Sequence, residues 1–323
     1  MKSLLASMAA LLTTTAALLI ATALFAGCNN DSVEEGSYAD WTKGLVTQKV
    51  GDNTLYFVPS KDGNGMMLTF DRTDMSYERL VQMAGGSLSA TEGGSGIKGL
   101  HIYVGDIEIP ASVNGVPVTA IDQYAFSGNI ELTSVTIPAS VREIGAEAFA
   151  QCENLASVVI PEGVTEIKAG TFCGKSAVSV TIPNSVKTIS HMAFLKNTRL
   201  TTINFDLANS QLQQIEASAF SGCTALKTFA MPVSVEKIGT YAFRNCSQLN
   251  NLIIESRVSQ MDSLCFNGCS RLTSIHMKPT TPPIVAGSTL SILSKATIYV
   301  PKGSLSAYKE ANYWSNMSKY KEE

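Results

Sequence analysis

A phenylalanine recurs at positions 126, 149, 172, 194, 220, 243 and 266, at intervals of 23, 23, 22, 26, 23 and 23 residues. An alanine precedes it in most copies, as in Ala125-Phe126 and Ala148-Phe149. Two more markers keep step with it. One is an apolar segment that usually ends in proline, such as LTSVTIP (132–138), LASVVIP (155–161) and LKTFAMP (226–232). The other lies between them: SVREIGAEAF, GVTEIKAGTF, SVKTISHMAF, QLQQIEASAF and SVEKIGTYAF. Three interleaved markers in register mean one small structural unit stacked on copies of itself.

The V-x-I alternation puts Val135 and Ile137 on one face and Thr136 on the other, the period of a short strand. Pro138 and its equivalents cannot donate to a ladder and so end that strand. A single coil buries little. Seven coils stacked at ~4.8 Å give a continuous core about 34 Å long with parallel ladders. A mainly β solenoid of ~23-residue coils is therefore expected over 97–299, with a cap over 300–323 that shields the open end. The coil entering Phe220 carries three extra residues around Leu207 to Ser210, so a bulge should interrupt one face there.

Hydrophobic residues make up 45% of the 323 positions and charged residues 16%, enough for a substantial core. The net charge of −3 comes with no basic stripe, which argues against nucleic acid as a partner. Residues 41–96 contain LVTQKV, TLYFVP and MMLTF, which read as strands, with a hairpin turn at Lys61–Gly65. Asp74 is placed to cap a helix over Met75–Met83. This stretch is expected to form a small β-rich domain, the alternative being an extended N-cap.

Lys2 followed by the uncharged apolar run 4–26 marks 1–27 as a signal peptide. Phe25-Ala26-Gly27-Cys28 resembles a bacterial lipobox, although leucine stands at 24 and phenylalanine at 25. The resemblance implies acylation of Cys28, and the alternative is an uncleaved signal anchor. Each buried CH₂ adds ~0.8 kcal/mol, so several acyl chains hold a protein on a membrane lastingly. The polar, acidic segment 28–40 then serves as a tether. It also resembles the export signals of Bacteroidetes surface lipoproteins, which implies an outer-membrane, cell-surface location.

The repeat residues resemble the BspA-type leucine-rich repeat family over roughly 97 to 314, including a cap-like ATIYVPKGSLSAYKEANYWSNM (296–317) with a short helix bearing Tyr308 and Trp314. That family resemblance implies adhesion to a protein on a host or neighbouring cell.

Solenoids bind through outward rows repeated from coil to coil. The candidate row is Thr136, Thr181, Thr202, Asn204, Thr228, Asn251 and His276, neutral and rich in hydroxyl and amide groups. Such a row suits a protein backbone or a glycan. A glycan-binding accessory role is the second reading, weakened by the scarcity of tyrosine and tryptophan in the repeats. A purely structural envelope protein is a third.

Cys152, Cys223, Cys246 and Cys269 each fall three residues after a repeat phenylalanine, where Asn129 and Asn197 also occur and Lys175 breaks the pattern. They read as buried free thiols facing backbone groups and not as disulfides. Cys265 and Cys269 lack a second ligand pair, so no metal is expected. Gly94–Gly99 matches G-x-G-x-x-G but leads into a strand, and no cofactor is expected. Three histidines (101, 191 and 276) stand apart in the sequence and no nucleophile has an activating context, so no enzyme is expected.

Overall fold

The computed structural model describes residues 44–69, 103–255, 257–286, 296–317 and 319–323. Nearly all lie in one compact unit, Val46–Phe70 with Ile102–Glu323; the second unit, Met1–Leu45 with Asp71–His101, is described only at residues 44 and 45. The expected signal peptide, Cys28, the expected tether, the helix expected over Met75–Met83, Gly94–Gly99 and His101 lie outside the described residues.

Three strands open the described unit: β1 (Val46–Val50), β2 (Asn53–Pro59) and β3 (Met66–Thr69), an antiparallel meander. The β2–β3 turn sits at the expected Lys61–Gly65, with Asp62 accepting from Ser60 Oγ and from Asn64 N–H. Next come β4 (Gly105–Glu108), β5 (Ser112–Val113) and β6 (Val116–Ile121). Here β3 runs parallel to β6, with Leu68 opposite Ile121. Leu55, Phe57 and Leu68 share the core of the repeats and are fully buried. The meander therefore caps the first coil, because its apolar face has the same ladder and the same core to join.

Each coil then contributes two short strands. They are β7 (Leu132–Thr136) and β8 (Glu143–Ile144), β9 (Ser157–Val159) and β10 (Glu166–Ile167), then β11 (Ser179–Thr181) and β12 (Thr188–Ile189). After them come β13 (Thr202–Asn204) and β14 (Gln214–Ile215), then β15 (Thr228–Ala230) and β16 (Lys237–Ile238). The last pairs are β17 (Asn251–Ile254) and β18 (Gln260–Met261), and β19 (Ser274–Met277) and β20 (Ile284–Val285). The second row forms a parallel sheet from β10 to β20, with Ile167, Ile189, Ile215, Ile238 and Met261 in one inward file. The first row is two sheets, β4-β7-β9-β11-β13 and one that starts at β15. The interruption lies beside the coil with the three extra residues, as its length implies.

The repeat phenylalanines form the third wall. Their rings stack at centroid distances of 5.1, 5.5, 5.2, 5.0, 5.2 and 5.5 Å, and all seven are fully buried. The backbone beside them forms a ladder of its own. Tyr124, Phe126 and Gly128 donate to the carbonyls of Ala146, Ala148 and Ala150, and the same pattern runs down the stack to Tyr241, Phe243 and Asn245, with only the Phe172 and Gly174 bonds in the coil of Phe172. The outer two residues of each triplet are left-handed, as at Tyr124 (φ 59) and Gly128 (φ 74). At the second of these slots glycine alternates with a longer residue. A Cβ at Gly174 would lie 2.3 Å from the Gln151 carboxamide, and one at Gly268 would lie 2.1 Å from Asn245 Oδ1. A side chain in one coil thus leans into the space that the next coil leaves empty.

The end of the stack is closed by β21 (Thr297–Val300), α1 (Leu305–Glu310), a 3-10 turn at Trp314–Asn316 and β22 (Tyr320–Glu322). Tyr308 is on the helix as expected, but Trp314 is not: the chain turns extended at Ala311 (φ −71, ψ 143), and Trp314 opens a separate 3-10 turn after Tyr313. Both side chains are buried, Tyr308 Oη donating to the Pro279 carbonyl (2.8 Å) and Trp314 Nε1 to the Pro283 carbonyl (2.9 Å).

Candidate functional site

Alternation on the first-row strands turns Thr, Ser and Asn side chains outward while Val, Leu and Ile turn in, and parallel pairing lines up equivalent positions. Before the interruption, Glu108 stands opposite Thr136, and Val159, Thr181 and Asn204 continue the same file. Ser157, Ser179 and Thr202 form the file beside it. Asn204 Nδ2 reaches Thr181 Oγ1 (3.3 Å) and Ser179 Oγ (3.4 Å), so two candidate side chains form one small network with Ser179, which the sequence reading did not single out.

After the interruption Thr228, Asn251, Ser274 and Thr297 form one file, and Ala230, Ile253, His276 and Tyr299 the other. Ser274 Oγ donates to Asn251 Oδ1 at 3.0 Å. The candidate residues thus fall into two groups: Thr136, Thr181, Thr202 and Asn204 on one sheet, and Thr228, Asn251 and His276 on the other. Thr136, Thr202, Asn204 and Thr228 are exposed, and Thr181, Asn251 and His276 are half-buried.

The row is less uniformly polar than its candidates suggest. Val159 is 63% exposed in the middle of the first sheet. At the other end His276 stacks flat on Tyr299, with centroids 4.4 Å apart and planes within 5°. His276 Nδ1 lies 2.7 Å from Glu323 Oε2, and Lys278 Nζ donates to Glu323 Oε1 at 2.8 Å. The Lys278 hydrogen bond, aided by His276, holds the Glu323 carboxyl below the usual range. Tyr299 and Glu323 escaped the sequence reading because the repeat signature fades before them. Only the alternation in ATIYV hinted that Tyr299 continues the row.

The second row carries outward Glu143, Glu166, Thr188, Gln214, Lys237, Gln260 and Ile284, and much of its charge is satisfied internally. Lys168 pairs with Glu143, Lys237 with Asp262 (3.5 Å), and Ser190 Oγ donates to Glu166 (2.5 Å). Near the first coil Asp106 accepts from Ser134 (2.6 Å) and Thr133 (2.7 Å), which lowers its pKa.

The cysteines after the phenylalanines are free, and each thiol faces a carbonyl of the coil before it. Cys152, Cys223, Cys246 and Cys269 Sγ lie 3.1 to 3.2 Å from the carbonyls of Phe126, Phe194, Phe220 and Phe243. Where Lys175 breaks the pattern, Ser176 takes over and donates to the Phe149 carbonyl (2.7 Å). Among the described residues no group of three or more His, Cys, Asp or Glu is placed to hold a metal. No helix among them is long and apolar enough to cross a membrane.

A family model described as a BspA-type leucine-rich repeat region matches residues 119–209 and 207–317, in 6 copies. No curated protein matches the chain. Among solved structures it is similar to a leucine-rich repeat protein from Bacteroides ovatus, with 21% identity over 85% of this chain and 76% of that one, and a TM-score of 0.44. A leucine-rich repeat protein of T. pallidum shares 19% identity over 76% and 77% of the two chains, with a TM-score of 0.35. A leucine-rich cell surface protein from Faecalibacterium prausnitzii shares 20% over 86% and 94%, with a TM-score of 0.27.

Proposed function

We propose a binding function for this chain, which belongs to the BspA-type leucine-rich repeat family. It is a lipid-anchored protein of the outer membrane, exposed at the cell surface. Its first-row face contacts a protein on a host or neighbouring cell. The observation that carries this reading is the pair of outward ladders, one from Thr136 to Asn204 and one from Thr228 to His276, where exposed and half-buried hydroxyl and amide groups recur along the coils. A solenoid's outward ladder is an extended surface with many equivalent polar contacts, which suits a macromolecule better than a small substrate. Anchoring at Cys28 rests on the leader and its cysteine.

A glycan ligand is the second reading, and Tyr299 at the end of the row is the observation in its favour. Against it, one face of that ring is already occupied by His276. The purified protein should be screened against extracellular matrix proteins and a glycan array, alongside a Thr202→Ala, Asn204→Ala, Asn251→Ala variant. Binding of a protein that the triple variant loses supports the reading. Binding of glycans alone sinks it. Protection of the chain from external protease on intact cells would sink the surface location.

A further inference from the structure

Charge is not spread evenly round the later coils. Between residues 170 and 275, Lys175, Lys196, Arg199, Lys227, Arg244 and Arg271 all fall on one corner, where the phenylalanine wall turns into the first row. The five carboxylates of the same stretch sit elsewhere. Asp206 and Glu255 follow first-row strands, Glu236 precedes β16, and Glu216 and Asp262 follow β14 and β18. Arg199 is half-buried and the other five cations are exposed. Among the described residues, the one carboxylate within ion-pair reach of the six is Glu153, 3.8 Å from Lys175. Arg199 and Arg271 donate to neutral groups, the Ser176 carbonyl (3.5 Å) and the Gln248 carboxamide (2.5 Å), and Arg244 lies 5.0 Å above the Tyr241 ring. The second row differs, since Lys237 there pairs with Asp262 (3.5 Å) and Lys168 with Glu143.

This corner is continuous where the first row is not. Lys196 N–H donates to the Ser221 carbonyl (2.7 Å), Gly222 to Arg244 (2.6 Å) and Asn245 to Asn267 (2.6 Å), and Phe194 stacks on Phe220 at 5.0 Å. The ladder holds neighbouring cations one coil apart, so Lys175 to Arg271 covers four coil steps, about 19 Å. The sequence shows no basic run because the six are scattered over four and a half repeats, and stacking alone collects them. Glu131 and Glu153 hold the same corner in the two coils before, which gives the ridge a defined end. Like charges stacked this closely repel one another, and the field along the ridge draws in anions.

A straight row of cations is complementary to a chain that carries anions at regular intervals, and binding such a chain releases its counterions. The arginine forks suit sulfate and carboxylate groups, which accept two parallel hydrogen bonds. Beside the ridge the first row offers Thr201, Thr202, Thr228 and Asn250, exposed hydroxyl and amide groups that match the hydroxyls of sugars. Tyr241 is the aromatic ring at the ridge, and Arg244 already covers it, so no free ring is offered to a nucleic-acid base. We propose that this corner binds a linear acidic polysaccharide, sulfated or bearing uronates, laid along the solenoid axis from Lys175 to Arg271. The site flanks the first-row face and is separate from whatever protein that face holds.

The test is calorimetric titration of the purified full-length chain with heparin and with polygalacturonate, and with dextran, polyglutamate and phosphatidylglycerol vesicles for comparison. One or both acidic polysaccharides should bind and dextran should not, with affinity falling about tenfold or more between roughly 50 and 200 mM NaCl. Lys196→Glu with Arg244→Glu should weaken that binding about tenfold or more. Lys187→Glu with Arg257→Glu makes the same change in net charge away from the corner and should leave affinity within about twofold. Should the first pair melt early, Lys196→Gln with Arg244→Gln replaces it and should weaken binding in the same direction. The proposal is overturned if neither acidic polysaccharide binds at the lower salt, or if both glutamate pairs weaken binding equally. Polyglutamate or vesicles bound as tightly as the polysaccharides would overturn the choice of ligand. Binding that survives the Lys196 and Arg244 changes but is lost with Thr202→Ala, Asn204→Ala, Asn251→Ala would overturn the corner and place the ligand on the first row.

Discussion

At the scale of single residues, the solenoid holds ionisable groups where burial changes their chemistry. Glu147 sits in a left-handed turn (φ 55), with its Cγ lying where a Cβ of Gly170 would fall. Burial raises its carboxyl from 4.5 to about 7. The folded chain binds that proton more tightly than the unfolded one. Its contribution to stability is therefore complete below about pH 4.5 and lost as pH rises through about 7. Glu147→Gln should melt higher than the parent at pH 8 and show little difference at pH 4. A gap of the same size at both values in thermal melts would count against this account. The thiols behave in parallel: burial pushes Cys152, Cys223 and Cys265 up, and Cys246 is raised by its hydrogen bond with Cys269 and by burial. Thiols held protonated do not react as nucleophiles. Among the described cysteines, iodoacetamide on the native protein at pH 8 should modify the half-buried Cys173 first. Early loss of Cys223 or Cys246 would contradict that order.

At the scale of elements, the coils are held by close backbone approach as much as by side chains. A Cβ on Gly145 would lie 2.2 Å from Gln123 N, a backbone atom with no freedom to retreat. Gly145→Ala should therefore cost about 2 kcal/mol or more in urea unfolding, beyond the range of an ordinary surface change. The repeat ring is the other tie. Phe220→Ala removes contacts on both sides of a stack and should cost about 3–5 kcal/mol, whereas Asn204→Ala on the outward face should stay within roughly 0.5 kcal/mol. Equal costs for the two would mean that the stack is not the main tie.

The interruption of the first row also belongs to this scale. Its existence was legible in the 26-residue interval, because extra residues in a fixed coil must go somewhere. Its consequence was not legible, since the partial exposure of Ile203 and Phe205 depends on how the next coil, with the bulky Phe229, settles against them. The same contrast holds within the candidate row. Alternation was enough to turn Thr202, Asn204 and Thr228 outward, but the division of that row between two sheets needed the strand pairing.

For the molecule as a whole, the ends decide whether the stack persists. A solenoid's last coil exposes core and strand edge unless something covers it. Here Trp314 and Tyr308 meet edge-to-face at 5.1 Å, and β22 returns to pair with β21. Trp314→Ala should cost about 3–5 kcal/mol and raise the tendency to self-associate. Light scattering with thermal melts checks both, and a variant as stable and monodisperse as the parent would refute the capping role. The outer strand carries Lys321 and Glu322, charges that discourage further strands from adding to its edge.

The sequence by itself determined the period of the coils, the inward files of Val, Ile and Phe and the slot of the buried cysteines, whereas the seven coils that it marks are extended at their two ends by first-row strands β4 and β21. Each of these follows from which positions must leave water, and burial at a repeated spacing is written into residue type. Only the tertiary structure decided that the strands over 46–69 extend the ladder of the first coil, that Tyr299 and Glu323 close on His276, and that the first row parts between β13 and β15. Those outcomes depend on which backbone edges meet and on the volume of side chains in neighbouring coils, and neither is a property of any one segment.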